Sequence, residues 1–186
     1  KIIADASCQP ILFIGSGFTK RYAKGPNWPE LLGMLAEMCP QIDKDFAYYK
    51  QAYGNDLMKI GSVFSQLYHE WGWNAGKENF PPEYFAANTP SDIFIKHAIG
   101  EILTGLGPDE NGSYGSEELD AEIAALKAIS AHAIVTTNYD EVIEPLFPGY
   151  ERVISQQILR KPFLAIGEIF KIHGCISCPE SIVINE

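Results

Sequence analysis

PILFIGSGFT, residues 10–19, is the stretch on which the fold reading turns. The apolar run Pro10-Ile11-Leu12-Phe13-Ile14 is closed at once by Gly15-Ser16-Gly17. A continuous apolar run bounded by glycines fits a strand buried on both faces, as in a parallel sheet. Small residues directly after such a strand let backbone N–H groups come close to a phosphate. By itself the segment also fits a tight turn and nothing more, because Gly-x-Gly is frequent and the third glycine of the dinucleotide fingerprint is absent.

Outward from that strand the pattern becomes helical. Asn27-Trp28-Pro29-Glu30 precedes Leu31, Leu32, Leu35 and Met38 at helical spacing, Pro29 suits a first turn, and Pro40 ends the helix. Phe46, Tyr49, Tyr53, Leu57, Ile60, Phe64, Leu67 and Trp71 recur every three or four residues. Gly54-Asn55-Asp56 divides them into two helices, with Asn55 or Asp56 capping the second. This aromatic stripe reads as core rather than as a cofactor box. Residues 72–90 look irregular, and Ser91-Asp92 opens a helix through Ile95, Ile99, Ile102 and Leu103. The glycine-rich stretch 105–116 is a surface connection or a lid, followed by an amphipathic helix over 117–130. AIVTTNYD (133–140) begins a second strand, and further strands are expected near 152–154, 169–172 and 182–184. Strands separated by helices imply an α/β fold with a largely parallel, Rossmann-like sheet flanked by helices. The expectation is one domain over 1–186, with a helical insertion about 41–131.

Composition narrows the class. A chain of 186 residues with 46% hydrophobic and 20% charged residues suits a globular core, not a disordered or fibrous protein. Its formal net charge of -10 is the wrong sign for a nucleic-acid partner, which needs a basic surface to release counterions. The longest apolar run is about five residues, far short of the ~20 that span a bilayer, and no signal-peptide pattern follows Lys1. Of the four cysteines, Cys8, Cys39, Cys175 and Cys178, only the last two form a close pair. That is too sparse for a disulfide framework and lacks two ligands for a zinc knuckle. The expectations are reduced thiols, no metal, no membrane, no direct nucleic acid and a cytoplasmic location. Because the chain starts at Lys1 and stops soon after an apolar run, it is expected to be part of something longer, truncated at its C-terminus.

In open parallel sheets, ligands bind beyond the carboxyl ends of the strands. Three expected strand ends carry suitable residues: Gly15-Ser16-Gly17-Phe18-Thr19, Thr136-Thr137-Asn138-Tyr139-Asp140 and Lys171-Ile172-His173-Gly174. Each also has a purely structural reading. The second would be an ordinary strand-to-helix turn capped by Asn138 or Asp140, and a lone histidine such as His173 is most often structural. All three follow strand-like runs of one α/β chain, so a single site could gather them.

In these segments the chain resembles the sirtuin-like domains, in particular the divergent bacterial branch found in antiphage defence proteins. The carrying residues are FIGSGFT (13–19), PNWPELL (26–32), IVTTNYD (134–140) and KIHG followed by PESIVI (171–184), in that family's order and spacing. The resemblance implies NAD held in a Rossmann-like domain, with Gly15, Ser16 and Gly17 at the phosphates and Thr19 and Thr137 as further cofactor-binding positions. It also implies that Asn138 and His173 carry catalysis and that Asp140 lies near the nicotinamide carboxamide. In the divergent branch the reaction is NAD hydrolysis to nicotinamide and ADP-ribose, performed by oligomers within longer proteins and triggered by a phage or partner protein. Three other readings stay open: a non-catalytic module sensing NAD or ADP-ribose, an NAD-dependent protein deacylase, and a nicotinamide oxidoreductase, which would want the fuller glycine fingerprint. Against the deacylase, that branch carries a four-cysteine zinc module after its histidine, where this chain has only Cys175 and Cys178. It also has Gln where Thr137 stands, and an Asp-Phe-Arg segment where Asn27-Trp28-Pro29 stands.

Overall fold

The computed structural model describes residues 9–155 and 166–184; the expectation of a reduced thiol at Cys8 lies outside them. Four strands form one sheet: β1 (Ile11–Ile14), β2 (Ala133–Thr136), β3 (Glu151–Ile154) and β4 (Glu168–Lys171), in the order β1-β2-β4-β3. Every neighbouring pair is parallel. Ile14 and Lys171 both register with Thr136, and Ile154 with Lys171, so the carboxyl ends of all four strands stand level. Six α-helices accompany them among the described residues: α1 (Ser16–Ala23), α2 (Trp28–Met38), α3 (Phe46–Ala52), α4 (Leu57–Trp73), α5 (Ile93–Leu103) and α6 (Glu117–Lys127). This is the Rossmann-like α/β class that the alternation of strands and helices implied.

The chain forms two compact units, one of Lys1–Gly25 with Gly105–Cys175, the other of Pro26–Thr104 with Ile176–Glu186. The first holds the sheet. On one sheet face Leu12, Ile14, Ile134 and Ile169 pack with Phe18 and Tyr22 of α1 and with Leu119, Ile123 and Leu126 of α6. On the other, Ala133, Val153 and Phe170 cluster with Val135. The period-2 alternation of strand side chains produces this division. The expectation that β1 is buried on both faces does not hold: Ile11 and Phe13 are 61% and 69% exposed, and the apolar cluster of Ala133, Val135, Val153 and Phe170 does not extend to them. The strand buried at every position is β4, Glu-Ile-Phe-Lys, which lies inside the sheet and carries a charge at each end.

Two further expectations are corrected. No strand forms over 182–184: Ile182 and Ile184 are buried and Val183 is exposed, so the burial alternates as in a strand, but the segment is not part of the sheet. No helix follows β2 directly, so neither Asn138 nor Asp140 is a helix cap. The turn leads instead to a 3-10 turn at Glu144–Leu146, where Pro145 lacks the N–H that a continuing helix needs.

The second unit is helical, and its signals were local. Asn27 caps α2 in a reciprocal box: its side chain accepts from the Glu30 N–H, and the Glu30 carboxylate accepts from the Asn27 N–H. Asp56 caps α4 by accepting from the Lys59 N–H. Leu32, Leu35, Ile60, Phe64, Ile95 and Ile99 are fully buried in this unit, and Tyr49 meets Phe64 edge-on at 5.0 Å. The aromatic stripe is therefore largely core, although Tyr53 is 37% exposed.

Candidate active site

Gly15 leaves β1 and serves as the cap of α1 with φ -118° and ψ -175°, an extended conformation, and no side chain caps that helix. Ser16 and Gly17 form its first two residues, half-buried and exposed respectively. A Cβ placed on Gly15 or Gly17 would meet nothing within 4 Å, so the loop fronts open space. Thr19, one turn into α1, is 1% exposed.

The turn after β2 reaches back to this loop. The Asn138 N–H donates to Thr136 Oγ1 at 3.0 Å, which bends the chain at the strand end. Asn138 is 6% exposed, and its Nδ2 donates to the Gly15 carbonyl at 3.1 Å and to Thr19 Oγ1 at 2.9 Å. Because a backbone carbonyl only accepts, the amide must present its NH₂ to Gly15, leaving the opposite atom as oxygen. That atom, Oδ1, is buried and has no hydrogen-bond partner. Asp140 is also buried. Its Oδ2 accepts from the Thr19 hydroxyl at 2.7 Å and its Oδ1 from the Val142 N–H at 3.1 Å. Thr137, just before Asn138, is half-buried, and burial pushes the Tyr139 phenol above its usual range.

His173 lies two residues beyond Lys171. The Ile172 N–H donates to the Thr136 carbonyl at 3.0 Å, which carries the β2–β4 ladder one step past the strands. Asn138 and His173 each stand two residues past the last registered pair of neighbouring strands, Thr136 and Lys171, and His173 is exposed there. Direct hydrogen bonds join Gly15, Thr19, Asn138 and Asp140, while Ser16, Gly17, Thr137 and His173 share the edge without joining that cluster.

Sequence reasoning gave no role to Lys171. It is 0% exposed, and its Nζ donates to the Asp140 carbonyl and, at 2.9 Å, to Glu144 Oε1. A lysine inside the apolar run Ile169-Phe170-Lys171-Ile172 was the available signal. Arg21 of α1 is held by both oxygens of Glu122, at 2.8 and 2.6 Å. The ligating atoms of Glu141, Glu144 and Cys175 lie within 4.8 Å of one another. Arg152 pairs with Glu141 and approaches Cys175 Sγ at 3.7 Å, and Lys171 pairs with Glu144, so two protein cations already supply the charge a metal would bring.

Fold and site thus define a parallel α/β domain whose polar residues gather past the carboxyl ends of its strands, the arrangement of nucleotide-binding sheets. Within it, residues 132–186 match the family model of the SIR2-like domain, so that part of the chain is similar to a class that binds NAD and typically acts as an NAD-dependent enzyme. The match includes Asn138, Asp140, Lys171 and His173 and leaves Gly15 to Thr19 outside it. No curated protein matches the chain. No helix among the described residues is long and apolar enough to cross a membrane.

Proposed function

We propose that residues 1–186 act as a SIR2-like NAD glycohydrolase, cleaving NAD to nicotinamide and ADP-ribose. The observation that carries this reading is the Asn138 amide. Both of its N–H bonds are committed, and its oxygen is buried and unpartnered. An acceptor held in this way selects hydroxyls or water over phosphate oxygens. Leaving it unmet costs about 1–3 kcal/mol, which a bound donor recovers.

The chemistry follows from the bond at risk. When ribose C1′ separates from the pyridinium nitrogen, the electron pair goes to nitrogen and nicotinamide leaves neutral, so no general acid is required. The obstacle is the oxocarbenium-like ribosyl cation. Asn138 Oδ1 turns the negative end of its dipole toward that cation and orients a water, whose oxygen bonds to C1′. His173 takes the water's proton as general base. Gly15, Ser16 and Gly17 offer backbone N–H groups at the open start of α1 to the pyrophosphate. The wider biological role, a cytoplasmic antiphage effector that depletes NAD as an oligomer once a phage or partner protein triggers it, rests on the GSGFT, TTNYD and KIHG resemblance.

The test is to incubate the full chain with NAD and follow nicotinamide by chromatography. Asn138→Ala and His173→Ala should each lower nicotinamide release by about 10²–10⁴ while the circular dichroism of the fold persists. Near-parental turnover in either variant would strike that residue from the mechanism.

A further inference from the structure

We infer that Asp140 and Thr19 are positioning residues that fix which end of the Asn138 amide faces the substrate; this rests on the proposed role of Asn138. The two residues stand 121 positions apart in sequence, yet the Thr19 hydroxyl donates to Asp140 Oδ2 at 2.7 Å, and all atoms of the contact are buried. A hydroxyl has one proton. Once that proton is given to the carboxylate, Thr19 Oγ1 presents only lone pairs to its other neighbour, Asn138 Nδ2 at 2.9 Å. The Gly15 carbonyl, at 3.1 Å from the same nitrogen, imposes the same polarity from the backbone. With both N–H bonds drawn toward the β1–α1 loop, the carbonyl oxygen is left as the unpartnered atom.

The carboxylate itself has no freedom to turn this polarity around. Its second oxygen accepts from the Val142 N–H at 3.1 Å, so both oxygens act as acceptors of protein donors. Lys171 Nζ holds the Asp140 carbonyl from the other side. Thr19 is held as well: a Cβ on Gly25 would stand 2.6 Å from the Thr19 methyl carbon and 2.8 Å from Leu106, so Gly25 is the residue that leaves Thr19 room. An asparagine at position 140 could not reproduce the pattern. Its NH₂ would face either the Val142 N–H or the Thr19 hydroxyl. In the second case the hydroxyl proton would swing toward Asn138 and disfavour the amide orientation that leaves Oδ1 as the unpartnered atom.

Three variants of the full chain test this: Thr19→Val, which keeps shape and removes the hydroxyl, Asp140→Asn, and the two combined. For nicotinamide release from NAD, each single change should lower kcat by about tenfold to a hundredfold, the scale of an ~1 Å or orientational error at a reacting group, with KM moving only a few-fold. Thr19→Ser should recover most of the loss. The double variant should be no worse than the poorer single one, because both act through one chain of hydrogen bonds. Multiplying losses would mean that Asp140 or Thr19 acts on the ligand directly, and would overturn the inference.

A readout without substrate separates this claim from the proposed function. The Asn138 side-chain NH₂ signals in a nitrogen–proton NMR spectrum are identified by their disappearance in Asn138→Ala. They should shift and lose protection from hydrogen exchange in Thr19→Val and Asp140→Asn, but not in Thr19→Ser. Unchanged signals in Thr19→Val would overturn the positioning role even if NAD is hydrolysed. Changed signals in a chain that does not turn over NAD would uphold it while the proposed activity falls.

Discussion

Lys171 shows how a single side chain ties the sheet to the site. Its ammonium is withdrawn from water and is satisfied by two oxygens of the 140–144 turn, the Asp140 carbonyl and Glu144 Oε1. Glu144 in turn keeps a second oxygen, Oε2, buried without a partner, so the pair is not a fully satisfied network. Removing one member of a buried ion pair strands the other, at a cost of about 3–5 kcal/mol when burial is complete. Because the Glu144 side chain is 19% exposed, water offsets part of that cost. Lys171→Met should therefore lower the unfolding free energy by about 2–4 kcal/mol in a denaturant titration, and Lys171→Met with Glu144→Gln should regain a measurable part of it. A single variant as stable as the parent would show that the ammonium contributes nothing net.

At the scale of the elements, stability and legibility share a cause. The helices of the second unit were readable because their signals are local: Asn27 three residues before Glu30, Pro29 in a first turn, Asp56 ahead of Lys59, and apolar residues at helical spacing. Breaking one such signal has a local and measurable effect. Asn27→Ala removes the acceptor for the Glu30 N–H and should lower stability by about 1 kcal/mol, seen as a fall in Tm of about 2–4 °C for a chain of this size. An unchanged Tm would mean the box adds nothing beyond the packing of Leu31 and Leu35. What was not readable depended on neighbours far away in sequence. The run Ile11-Leu12-Phe13-Ile14 says strand, but it does not say that the apolar cluster on one sheet face stops short of Ile11 and Phe13. The eight-residue helix α1 went unseen because Gly17, Thr19, Lys20 and Arg21 give it a weak apolar stripe. The candidate site was legible as residue types at strand ends, since GSGFT and TTNYD announce themselves. The bond from Thr19 to Asp140 was not, since no local pattern records which of several strand ends meet.

Across the whole molecule, burial opposes the ionisation of several tyrosines, and in each compact unit one is affected most strongly. In the sheet unit it is Tyr139, 7% exposed, and in the helical unit it is Tyr68, fully buried with its hydroxyl donating to the Leu35 carbonyl at 2.8 Å. Burial raises both phenols above the ordinary value because it disfavours the phenolate. In the unfolded chain the same groups ionise near pH ~10. Below that value both states carry the proton, and the stability associated with these groups is present in full. As pH climbs past ~10 toward the folded values, the unfolded chain gives up protons that the folded chain retains, so stability falls with rising pH. The net charge of -10 acts in the same direction, since each added phenolate increases the self-repulsion of an already acidic chain. Phenolate absorbance followed against pH should thus show fewer than the nine tyrosines of the chain ionising while the fold persists, with the remainder appearing together with loss of far-ultraviolet ellipticity. Titration curves that superimpose in native buffer and in denaturant would mean that neither hydroxyl is shielded as its burial requires.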